Sequence, residues 1–440
     1  MKTVVTLLAL LLLGASAPAF ATPPLPRRSF TPAAMPAGDV PAGSLSKTVK
    51  VPLDHLAPER GQADLYCVFG APYDLKKPVV LVICDAEQFY VGKRVIAGIQ
   101  RTFFGDGLNV VGIVGRGVTG PFLDAVLRDS GRPDWEKAWR TFSSRQWVED
   151  IDAVRKALVG ERGQVHLYGA AGGGLLVHEY LAQHGEHVGR ALTLAPPDPF
   201  HEGELGLNSD HFWRDIGAFD ASLQPMLLEI LQRRAEDRPR ILMMLQRQNF
   251  FVPTEKLQQD RADIIRGLSG SDPLRFEIAC QTYRANQAYA NIESRENIPV
   301  RVRECELLYP SGGLAHLKET AVYPDLETSY SLAKPFVVLC DAGEIPKPSL
   351  DFSRLRQLQT EVLILAARWD HAVHYRASMA LAASYPHSQL FISDDNHVLD
   401  KLRTSGALTR LIRAFFGSGL SSAELRDALK AAAPYQWREK

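Results

Sequence analysis

The chain has 440 residues, 46% hydrophobic and 23% charged, with 50 basic residues balanced by 50 acidic ones. That length allows one large core carrying an insertion, or two modest domains. Cancelled charge and the lack of a long basic run exclude an electrostatic footprint for nucleic acid or an anionic membrane, so small or peptide-like ligands are the expected partners.

Taken in chain order, Lys2, the apolar run Val4–Leu13 and Ala19-Phe20-Ala21 form the three parts of a secretory signal peptide (residues 1–21). Cleavage is expected after Ala21, giving a secreted or periplasmic protein. The run is short for a membrane span, and no cysteine follows it to take a lipid. Residues 22–44, rich in Pro, Ala and Gly, read as an extended or disordered lead-in. Thr48–Leu53 and Ala63–Phe69, with the turn Pro58–Gly61 between them, predict a hairpin at a sheet edge.

Apolar runs then alternate with helical stretches. Val79–Ile83, Asn109–Val114, Gln164–Tyr168 and Ala191–Leu194 read as buried strands, and Val148, Ile151, Val154 and Leu158 fall at helical spacing. Strands apolar throughout and separated by helices predict an α/β fold with a mostly parallel sheet covered on both faces. This first part of the core is assigned to residues 45–200. Residues 201–345 are helical and charged and read as an inserted cap. The sheet resumes within 346–440, through Glu361–Ala366 and Gln389–Ser393, and closes with the helix Leu408–Phe416.

Between the Gln164–Tyr168 strand and the next helix lies Gly169-Ala-Ala171-Gly-Gly173. Small residues at that spacing let a strand bend sharply into a helix and lift one side chain above the sheet, as in the G-x-S-x-G turn. Here the lifted side chain is the Ala171 methyl. The five cysteines, Cys67, Cys84, Cys280, Cys305 and Cys340, show no zinc-like spacing, so no metal site and no cofactor is expected. One disulfide within Cys280–Cys340, or buried free thiols throughout, are the two readings open.

Several segments, in order, resemble the α/β-hydrolase superfamily, specifically its secreted proline iminopeptidase and tripeptidyl aminopeptidase-like (peptidase S33-like) branch. They are Val51–His55, Val110–Gly117, the Ala171 turn with Glu186–Arg190, Val362–Asp370 and Ser393–His397, and together they span most of the mature chain. The resemblance implies an α/β-hydrolase fold with an inserted helical cap. It also places Asp370 and His397 at the acid and base positions of a triad, and Ala171 where the nucleophilic serine belongs.

The family's glycine-rich oxyanion loop corresponds here to Cys84-Asp85-Ala86-Glu87. The oxyanion region would be Asp85, Ala86 and Gly172, with Cys84 and Glu87 as further substrate-binding candidates. Asp85 and Glu87 either point inward, where their charge opposes an oxyanion, or face solvent. Cys84 is the best substitute nucleophile; Ser143, Ser144 and Ser393 read as cap or turn residues. Loss of the serine in a triad protease lowers turnover by about 10⁶. The expected function is therefore an exported pseudo-hydrolase that binds a peptide-like or small ligand under the cap, with Asp260, Asp263, Glu277 and Glu293 available to meet an amino terminus. The alternatives are an enzyme using His397–Asp370 as a general base without a covalent intermediate, a peptidase or esterase with a non-standard nucleophile, and an interaction protein presenting Trp213, Tyr283 and Tyr289.

Overall fold

The computed structural model describes residues 38–86, 91–270 and 273–438. The signal segment, most of the lead-in and Glu87 lie outside the described residues.

Eight strands form one twisted sheet: β1 (Ser46–Pro52), β2 (Gln62–Phe69), β3 (Val79–Ile83), β4 (Asn109–Val114), β5 (Val165–Ala170), β6 (Val188–Leu194), β7 (Glu361–Ala367) and β8 (Ser388–Ser393). Their order across the sheet is β1-β2-β4-β3-β5-β6-β7-β8. β1 pairs antiparallel with β2, and β2 with β4; every other pairing is parallel. β3 and β5 are buried at every position, as befits strands covered on both faces. β1 and β2 instead alternate exposed and buried residues, the pattern of an edge hairpin. This is an α/β-hydrolase fold.

Seven helices bear on the site: α1 (Ser144–Val159), α2 (Gly172–His184), α3 (Arg238–Phe251), α4 (Thr254–Ser269), α5 (Ile298–Leu308), α6 (Pro324–Ala342) and α7 (Ala407–Ser418). α2 is buried along its first eleven residues because it fits between the sheet and its neighbours. The predicted strands and the helices over α1 and α7 are found, with ends that differ by a few residues.

The insertion between β6 and β7 has two parts. α3 and α4 close around a core of their own that includes Leu245, Ile265 and Phe276. α5 and α6 instead join the main core, where Val302 and Phe336 share a cluster with Phe142 and Leu176. The insertion read as a cap therefore includes helices that form a wall of the main core. Among the described residues no helix is long and apolar enough to cross a membrane, and no group of three ligating side chains is placed to hold a metal ion.

Candidate functional site

β5 ends at a sharp turn into α2, and the turn residue is Ala171, at φ 47° and ψ −129°. Its N–H donates to Leu194 O at 2.9 Å, while its own carbonyl accepts from Gly174 N–H at 2.7 Å. Close packing demands glycine nearby: a β-carbon on Gly169 would lie 2.4 Å from Gly173 O. A non-glycine residue held in this region costs on the order of 1–3 kcal/mol. The turn thus keeps the strained geometry that exposes a side chain, with a methyl group to expose.

The loops after β7 and β8 bring Asp370 and His397 together. His397 Nδ1–H donates to the Asp370 carboxylate, 2.9 Å from Oδ1 and 2.8 Å from Oδ2. Asp370 Oδ1 also accepts from the N–H groups of Ala372 and Val373, at 2.8 and 3.1 Å. Those bonds fix the carboxylate, which in turn fixes the imidazole tautomer and leaves Nε2 as the nitrogen able to accept a proton.

The other side of the imidazole meets the insertion. The Phe250 ring, near the end of α3, lies edge-on with its centroid 4.6 Å from that of His397. Ala171, Phe250 and Ala372 pack around the buried Ala195, Val373 and Val398. Asn396 Nδ2 donates to Val252 O at 3.2 Å, tying the histidine loop to the same segment. His397 is only 6% exposed as a result.

Asp85 points inward. It is 4% exposed, and a β-carbon on Gly172 would come within 1.7 Å of its Oδ2. Its carboxylate therefore sits against the first residue of α2, where the helix dipole and free N–H groups favour negative charge.

A buried charge network holds the carboxylate there. Arg303 of α5 donates from Nε to Asp85 Oδ2 at 3.4 Å and from Nη1 to Glu179 at 3.1 Å and Glu306 at 3.2 Å. Its Nη2 donates to Gly172 O at 3.4 Å, and Glu306 accepts from Ser144 N–H at 2.7 Å. Three carboxylates share this one guanidinium. Burial pushes Glu306 up to about 7, against the pull of Arg303, and raises Glu179 as well. The carboxylates around Arg303 hold it in its charged form despite its burial.

The other candidates fall elsewhere. Ala86 is buried in the main core. Cys84 belongs with Val82 and Tyr168 to the layer beneath α7, distinct from the cluster around Ala171, which is not where a nucleophile for His397 would sit. Ser144 opens α1 and Ser393 is buried at the end of β8. The four insertion acids have partners of their own: Asp260 accepts from Tyr283 OH at 2.6 Å, Asp263 pairs with Arg275 at 3.1 Å, Glu277 with Arg240 and Glu293 with Arg301 at 2.8 Å. Two cavities of about 10 Å³ each, close to the space of one water, are both lined by Cys84, Gly115 and Trp147.

Sequence reading missed Arg303, Glu179, Glu306 and Phe250. In the fold the charged residues Arg301, Arg303, Glu304 and Glu306 of α5 are all buried.

No family model matches the chain, and no curated protein sequence does. Solved structures similar to it include an alpha/beta fold family hydrolase from Bacillus anthracis str. Sterne, at 11% identity over 83% of this chain and 98% of that one, with a TM-score of 0.39. A serine hydrolase from Cycloclasticus zankles is 14% identical over 86% and 100%, with a TM-score of 0.41. An esterase from Exiguobacterium antarcticum is 13% identical over 81% and 96%, also with a TM-score of 0.41. At such identities and scores the likeness does not reach the site.

Proposed function

We propose that this protein is an exported pseudo-hydrolase of the proline iminopeptidase-like branch, without serine-hydrolase activity, whose retained site between sheet and insertion binds a small or peptide-like ligand. The observation that carries this reading is the Asp85 carboxylate packed on Gly172. With Ala171 at the turn the site has no hydroxyl to attack a carbonyl, and with Asp85 at the head of α2 it has an anion where an oxyanion would need donors. The Phe250 ring beside His397 would form one wall of that site. The test is incubation of purified protein with amino-acyl and ester substrates and with a fluorophosphonate probe: no labelling and no turnover above a H397A control is the expected result, and hydrolysis that H397A abolishes overturns the reading. Export is checked by the mature amino terminus, expected at Thr22.

The fixed His397–Asp370 pair favours a second reading, in which Nε2 acts as a general base on water or on a substrate proton without a covalent intermediate. Under that reading substrate is converted with no trapped acyl-enzyme, and H397A stops conversion.

A further inference from the structure

Cys305 on α5 and Cys340 on α6 are both buried in the main core. The two helices lie side by side. Arg301 Nε donates to Leu332 O at 3.0 Å, and Tyr309, one turn beyond Cys305, donates from its hydroxyl to Val337 O at 3.3 Å and Asp341 Oδ1 at 3.0 Å. Those contacts bracket the two cysteines, which lie in the same buried cluster between the two helices. Cys340 Sγ also lies 3.7 Å from Pro346 O. The other three cysteines are spread out: Cys67 in β2, Cys84 after β3, and Cys280 in the separate core of the insertion.

All five are thiols in the structure. We propose that Cys305 and Cys340 close a disulfide when the chain folds in the presence of a disulfide oxidant, tying α5 to α6 across the turn and loop that join them. Helices held together on both sides of the pair bring the two side chains to one crossing, where a rotamer adjustment closes the bonded separation of about 2.05 Å. In the reaction one thiolate attacks the external disulfide, such as glutathione disulfide, to give a mixed disulfide, and the second thiolate displaces the remaining thiol. The two cysteines lose two protons and two electrons, and the oxidant's S–S bond becomes two thiols. Burial raises both cysteines and makes them unreactive in the finished fold, so the bond forms while the helices dock. Arg303 lies two residues before Cys305, so the crosslink also fixes the helix that supplies the charge beneath Gly172.

The test is thiol counting by mass spectrometry on full-length protein refolded in a glutathione redox buffer, then denatured and alkylated with iodoacetamide before any reduction. Three alkylated cysteines are expected, Cys67, Cys84 and Cys280, rising to five after reduction, together with a linked peptide joining Cys305 to Cys340. C305S and C340S should each give four alkylated cysteines and no linked peptide. Five alkylated cysteines without reduction, or a link involving any other cysteine, overturns the proposal.

Discussion

At Gly172 the absence of a side chain is a steric requirement, because the space a β-carbon would take holds Asp85 Oδ2. G172A is expected to cost about 2–3 kcal/mol, in the range of overpacked cores, and D85A in the same chain should recover most of it; the shift in urea midpoint reads both. Ala171 poses the converse problem, a strained residue with no hydroxyl to present. A171G is expected to hold or raise stability by about 1 kcal/mol, since glycine relieves a positive φ at the cost of chain entropy. A171S should leave ester and amino-acyl hydrolysis at the level of H397A, because Asp85 still occupies the head of α2. A vigorous A171S enzyme would show that the carboxylate moves aside.

At the level of elements, α5 is an insertion helix that works as core. Taking away its guanidinium with R303M strands Asp85, Glu179 and Glu306, and removing one partner from a buried ionic cluster costs about 3–5 kcal/mol; chemical denaturation should show that loss while R303K keeps part of the stability. Such a role was hidden in the sequence for a physical reason. Strands β3 and β7 could be read because burial on both faces leaves a nearly unbroken apolar run, and Asp370 and His397 because the family resemblance points to the loops that follow β7 and β8. Arg303 could not, because helical charge patterns look the same whether they face water or one another, and its partners lie 218 and 124 residues away at Asp85 and Glu179. Phe250 was equally silent, as one aromatic among many on a helix whose docking depends on tertiary contacts.

Over the whole molecule, buried titratable groups set the pH profile of stability. Burial pushes Glu202 up to about 8 and Asp210 up to about 7 from ordinary values of 4.5 and 3.8, and Glu306 behaves likewise. A raised acid keeps its proton in the fold but loses it in the unfolded chain, so its contribution is complete below the unfolded value and is lost as pH climbs through the folded one. Burial pushes His211 down to about 3 and His374 to about 4 from 6.5, so their contribution is present above 6.5 and disappears as pH falls through those values. Between about pH 4.5 and 6.5 the two trends oppose and stability should be nearly flat; it should fall toward pH 8 and again below pH 4. E202Q, which can still accept the His374 N–H, should reduce the upper fall, as thermal melts across that range would record. The reach of Arg303 also has a consequence for the order in which the molecule can be completed. A chain emerging from its amino end presents Asp85 and Glu179 long before residue 303 exists, so the first five strands cannot bury those acids in their final charge state. A full chain carrying R303M, which keeps every strand but never gains the guanidinium, is expected to be more protease-sensitive than the wild type, as timed limited proteolysis would show.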